Sequence, residues 1–232
     1  MEIDKAMRVV DTTMKVTKII LEDVAPKVQE SVKGFSERLL VLAEKYPSIE
    51  EFAQKLNKVA DVTHDVLYAL GVDVEPVEVI GEKIATAEKG VNEFDSTEEY
   101  LNYIQNDVKI DAQKEENVSI GEKLAHIITG LAFVIEILSE KLDMEIPGPI
   151  VDIAMIIIQL ENVDMGATTV LSIFNKLKES GIDNLNDVYE CILGTGDSDR
   201  IKTGEILFDI FNDIYPGHGE DILNDIIDEA RE

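Results

Sequence analysis

Apolar residues recur every third or fourth position along nearly the whole chain, and alternating Val-rich runs joined by hairpin turns are missing. A period near that of the α-helix gives each segment one apolar stripe, so the spacing predicts an all-α fold, a multi-helix bundle. One stretch reads differently: Val72, Val74, Val77 and Val79 leave a hidden strand between Val72 and Ile80 as the alternative.

The N-terminal segment carries Ile3, Ala6, Val10, Thr13, Thr17, Ile20, Val24, Val28, Val32, Phe35, Leu39, Leu42 and Tyr46, a heptad-like stripe. Pro26 removes a backbone donor within it and crowds the preceding turn, yet the apolar phase continues past it. The pattern predicts one kinked amphipathic helix of about 65 Å or two of half that length. Such a stripe suits packing on the rest of the chain, or a coiled coil with a second copy and hence a homo-oligomer.

Three capping boxes mark later helix starts: Ser48-Ile49-Glu50-Glu51, Ser96-Thr97-Glu98-Glu99 and Ser119-Ile120-Gly121-Glu122. Each pairs a hydroxyl that accepts from an orphan amide with a glutamate that reaches back. The helices are expected over about Ile49 to Leu70 with a stop at Gly71, Thr97 to Val108, and Ile120 to Leu142, with another starting near Pro76. Beyond these, helices are expected near Gly166 to Lys178, Asn184 to Leu193, Thr203 to Ile214 and Glu220 to Ala230, separated by Gly- and Pro-containing turns. An offset of 71 residues aligns Ser48 with Ser119, Ile49 with Ile120, Leu56 with Ile127, Val66 with Ile137 and Pro76 with Pro147, which suggests a duplicated helical pair. Capping chemistry alone produces the same coincidence.

The most apolar part, Leu124 to Leu138 followed by Ile146 to Leu160, predicts a buried central hairpin, broken by Pro147-Gly148-Pro149. Each arm falls short of the roughly 18–20 uninterrupted apolar residues that span a bilayer, and Glu136 and Asp152 lie inside them. With 232 residues the chain is expected to form a single helical domain over 1–232, with a sub-boundary at the polar stretch 109–118.

Charge narrows the function. Lys plus Arg is 21 against 48 Asp plus Glu, a net charge of -27. A surface this acidic excludes ordinary nucleic-acid binding, which needs cations to replace counterions on phosphates, and anionic membranes would repel it. The acidity is uneven. Residues 1–47 are balanced, with eight acids and eight bases, whereas 48–118 and 181–232 each carry a net -11. Between Thr203 and Ala230 stand Glu205, Asp209, Asp213, Glu220, Asp221, Asp225, Asp228 and Glu229 with no Lys or Arg. Pairs such as Asp209 with Asp213 and Asp221 with Asp225 repel by a few tenths of a kcal/mol at helical spacing. A cationic partner would relieve that repulsion, and a solvated acidic face would tolerate it. One cysteine, Cys191, and an N-terminus without a basic start and apolar run fit a cytoplasmic protein.

Chemistry-bearing motifs are weak. His64, His126 and His218 stand apart, and no nucleophile elbow, phosphate loop or dinucleotide fingerprint is present. Asp61, His64 and Asp65 sit at neighbouring helical positions, but the paired Glu-x-x-His motifs of a di-iron bundle are missing. Asp197-Ser198-Asp199 with Glu205 resembles the opening of a calcium loop, yet the glycine and the final glutamate of such a loop are replaced by Lys202 and Phe208. The tyrosines lack the basic groove of a nucleic-acid stacking platform. No catalytic residue, metal or cofactor is therefore expected.

The expected function is that of a non-enzymatic protein-binding module whose acidic surface captures a basic protein, as an inhibitor, an immunity-type antagonist or a chaperone does. Its expected partner contacts are Glu205, Asp209, Asp213, Asp221, Asp225 and Asp228. The competing expectation is a membrane-active, pore-forming type of helical protein whose hairpin 124–160 leaves the bundle and inserts.

Overall fold

A computed structural model describes Tyr46 and residues 48–110, 118, 120–146, 150–160, 163, 165–195 and 200–231. The N-terminal stripe, its Pro26 kink and its coiled-coil reading lie outside these residues, apart from Tyr46. So do Asp197, Ser198 and Asp199.

Among the described residues the architecture is all-helical: α1 Ile49–Ala69, α2 Val77–Thr86, a single 3-10 turn Val91–Glu93, α3 Thr97–Asn106, α4 Ile120–Leu142, α5 Ile150–Gln159, α6 Ala167–Glu179, α7 Leu185–Leu193, α8 Arg200–Ile214 and α9 Gly219–Arg231. No strand occurs among them, and Val77 to Ile80, the last four residues of the suspected strand, form the first turn of α2. Two compact units divide the chain, Met1–Leu138 and Ser139–Glu232, and the division falls inside α4.

Local chemistry sets the helix ends. Ser48 Oγ accepts from the Glu51 amide at 3.1 Å, and Ser96 Oγ accepts from the Glu99 amide at the same distance. Glu99 also reaches back, though one residue further than expected, accepting from the Asp95 amide at 3.1 Å. At the other end of α1, Gly71 takes φ +82 so that the Val72 amide can bond to the Leu67 carbonyl at 2.9 Å. This left-handed close satisfies orphan carbonyls that a side-chain-bearing residue would reach only with strain. Pro76 stands at the N-cap of α2, one residue before the first turn expected for it. The offset of 71 holds for the starts of α1 and α4 but not beyond, since α2 begins at Val77 and α5 at Ile150.

In the first unit, Phe52, Leu56, Val66 and Leu67 of α1, Ile80 of α2, Ile104 of α3 and Leu124 to Leu138 along the inner side of α4 supply the core. Tyr100 packs edge-on against Phe133, ring centroids 5.3 Å apart, and Phe94 and Tyr103 extend the cluster. Burial, with Tyr103 close by, pushes the Tyr100 phenol up to about 12. The folded state thus holds this proton more tightly than the unfolded chain, whose tyrosine titrates near 10. The associated stability is present in full below pH 10 and lost as pH rises toward 12. Alkaline titration of unfolding free energy should show wild type falling by about 2 kcal/mol more than Tyr100→Phe across that window. Parallel curves for the two proteins would refute the assignment.

Two further features hold this unit. Gly81 of α2 and Gly130 of α4 mark a crossing so close that a Cβ on Gly81 would overlap the His126 carbonyl, and one on Gly130 the Val77 carbonyl. Lys83, almost wholly buried, lies 2.6 Å from Glu75 Oε2 and donates to the Gln105 carbonyl at 2.8 Å. The Gln105 side chain in turn accepts from the Glu75 amide at 2.9 Å and donates to the Asp73 carbonyl at 3.3 Å. One cation and one amide side chain thereby bind the segment before α2 to the end of α3.

In the second unit α8 and α9 form a packed helical hairpin. α9 also rests on α5 and α7, and α6 and α7 flank α8. The apolar residues described in both arms of the expected hairpin are mostly buried, from Leu124 to Leu138 in the first unit, where Glu136 stays exposed, and from Ile153 to Ile158 in the second. Among the described residues no helix is long and apolar enough to cross a membrane.

Candidate functional site

The α8–α9 hairpin is built by an apolar inner face and a tight turn. Leu207, Ile210 and Phe211 of α8 and Ile222 and Ile226 of α9 are buried. Gly217 closes the turn at φ +82, its amide donating to Asn212 Oδ1 at 3.1 Å. Gly219 starts α9 against the backbone of Asn212, where a Cβ would come within 2.7 Å of the Asn212 amide nitrogen. Arg231, in the last turn of α9, donates from Nε to the Ile192 carbonyl at 3.0 Å and so caps the C-terminal end of α7.

With the apolar face inward, the acids face water: Glu205, Asp209, Asp213, Asp221, Asp225 and Asp228 are all exposed. They do not make one site. Asp213 is already paired, its Oδ2 lying 2.6 Å from Lys176 Nζ of α6. That contact offsets both the repulsion from Asp209 and the cost of a carboxylate in the last turn of a helix, where the dipole is negative. Asp221 stands instead in the first turn of α9, where the dipole favours it, with His218 Nδ1 at 3.9 Å. Glu205 and Asp209 share the outer side of α8 with two apolar residues, Ile201, 78% exposed, and Phe208, 37% exposed. Ile201, Glu205 and Phe208 are spaced by four and three, hence on one face.

No family model, curated protein or solved structure matches this chain.

A cavity of about 580 Å³ lies beside the α8–α9 turn, lined by Leu160, Val163, Tyr215, His218, Asp221, Ile222 and Asp225. Of the six expected contacts, only Asp221 and Asp225 reach it. Its apolar wall joins the end of α5 to α9, residues about sixty positions apart, so sequence spacing gave no sign of it. Ile201 and Phe208 were also missed, although their seven-residue spacing beside the inner stripe of α8 is a readable excess of apolar positions.

Among the described residues no three His, Cys, Asp or Glu side chains are grouped so as to hold an ion. His64, weighed with Asp61 and Asp65, has Nε2 2.8 Å from the Val74 carbonyl and so braces the segment after α1. A second, shallower depression of about 500 Å³ at the end of α4 gathers Glu140, Asp143, Glu145 and Asp183. There Glu145 accepts from Asn184 Nδ2 at 2.9 Å, and Lys178 stands 3.7 Å from Asp143. Those partners tie the segment after α4 to the end of α6 and the N-cap of α7.

Proposed function

We propose that the chain is a non-enzymatic helical protein-binding module that captures a basic protein, with α8 and α9 forming the contact. The observation that carries this reading is the outer face of α8, where exposed Ile201 and Phe208 stand among Glu205 and Asp209. Apolar anchors bordered by charge are what an interface core and rim require. Among the described residues no cation pairs with Glu205, Asp209, Asp225 or Asp228, so a partner's Lys and Arg would meet carboxylates still open to contact. The net charge of -27 adds long-range steering, which accelerates encounter with a positive surface and repels negative ones. Inhibition, antagonism and chaperoning are all served by such capture.

The test is partner recovery from native lysate at low salt, followed by affinity measurements on the purified pair. Affinity should fall steeply with ionic strength. The combined Asp209→Asn, Asp221→Asn and Asp225→Asn variant should bind about tenfold or more weakly, chiefly through slower association. Asp213→Asn should do little, because that carboxylate is occupied by Lys176. Affinity indifferent to both salt and the triple change refutes the reading. Membrane insertion of hairpin 124–160 would first have to release Leu131, Phe133, Val134, Met155 and Ile156 from burial.

A further inference from the structure

We infer that the cavity beside the α8–α9 turn receives an aliphatic chain ending in guanidinium or ammonium, the anchoring Arg or Lys side chain of a basic partner. The inference rests on the capture reading and specifies where that capture is anchored. Its volume, about 580 Å³, lies within the usual range of ligand pockets, roughly 300–1,000 Å³.

Two chemistries meet in its lining. Val163 and Ile222 are buried and Leu160 is half-buried, a surface that methylene groups cover well. Asp221 and Asp225, one helical turn apart on α9, are exposed and belong to the same lining. Asp221, with His218 Nδ1 of the same lining 3.9 Å away, and Asp225 disfavour an anion but offer acceptors to the several donors of a guanidinium or ammonium group. Tyr215 belongs to the same lining. A purely apolar occupant would cover the aliphatic wall but leave the two exposed carboxylates unmatched. A bare metal ion would find no set of three ligands among the described residues. An amphipathic cation matches both parts of the wall.

Amide NMR of the full chain titrated with n-butylguanidinium tests this without any protein partner. Neutral n-butylurea and the stemless methylguanidinium serve as controls. Butylguanidinium should produce saturable shifts at Val163, Tyr215 and Ile222, with each control at least about fivefold weaker. Asp225→Asn, at an exposed position, should weaken the titration by a similar factor, and Glu205→Gln on α8 should leave it unchanged. Thermal melts of both variants keep folding effects separate. Equal responses to butylguanidinium and methylguanidinium, or shifts near Glu205 and Asp209 matching those at the cavity, would reduce the effect to diffuse counterion binding and overturn the inference. Failure of the cavity beside salt-sensitive partner capture sinks this inference alone; a cavity that binds while no partner is captured sinks the parent reading alone.

Discussion

Gly130→Ala should destabilise the first unit by about 3 kcal/mol, against the ordinary direction of this substitution. Inside a helix, alanine normally exceeds glycine by about 1 kcal/mol because it restricts the unfolded backbone. Here the added methyl would overlap the Val77 carbonyl of α2, and on the opposite side a methyl on Gly81 would overlap the His126 carbonyl of α4. Backbone atoms cannot rotate aside as a side chain can, so the helices must separate. Separation loosens the packing of buried neighbours Ile80, Ile127 and Val134. Gly81→Ala should act alike, and the double variant should cost less than the sum, since the first separation makes room for the second. Urea unfolding followed by circular dichroism measures this. A Gly130→Ala protein as stable as wild type would show that the helices do not meet at these residues.

Lys83→Ala should rank second, at about 2 kcal/mol. The side chain is almost fully buried, and its ammonium is the cation beside Glu75 Oε2 and a donor to the Gln105 carbonyl. Glu75 Oε2, itself buried, has no well-directed hydrogen bond, so its compensation is the nearby positive charge. Removing the ammonium leaves the buried Oε2 of a part-exposed carboxylate without its counter-charge, costlier than losing a solvated surface pair but less than orphaning a fully buried one. Lys83→Met keeps the stem and isolates the charge, and should remain well below wild type. Adding Glu75→Gln should recover part of the loss, because a neutral amide no longer needs a counter-charge. Additive losses in this cycle would show that Lys83 and Glu75 act independently.

These two sites illustrate what spacing along a chain conveys. Helix starts at Ser48 and Ser96 and the stop at Gly71 follow from contacts within a few residues, which is why they were legible. The outward placement of the six carboxylates was equally legible, being the complement of the apolar positions on α8 and α9. That Asp213 is occupied was not, because Lys176 lies 37 residues away on another helix. Nor was the grouping of Asp221 and Asp225 with Leu160 and Val163, which depends on where α5 ends relative to α9.

By itself, then, the amino-acid order determined the helical class, most helix ends, the acidic character and which carboxylates face water, all consequences of short-range backbone chemistry and one-sided burial. The tertiary structure alone decided the glycine crossing of α2 and α4, the burial of Lys83 beside Glu75, and the mixed apolar and acidic cavity. Each brings together atoms distant in sequence, where the requirement at one position is set by whatever the fold places against it.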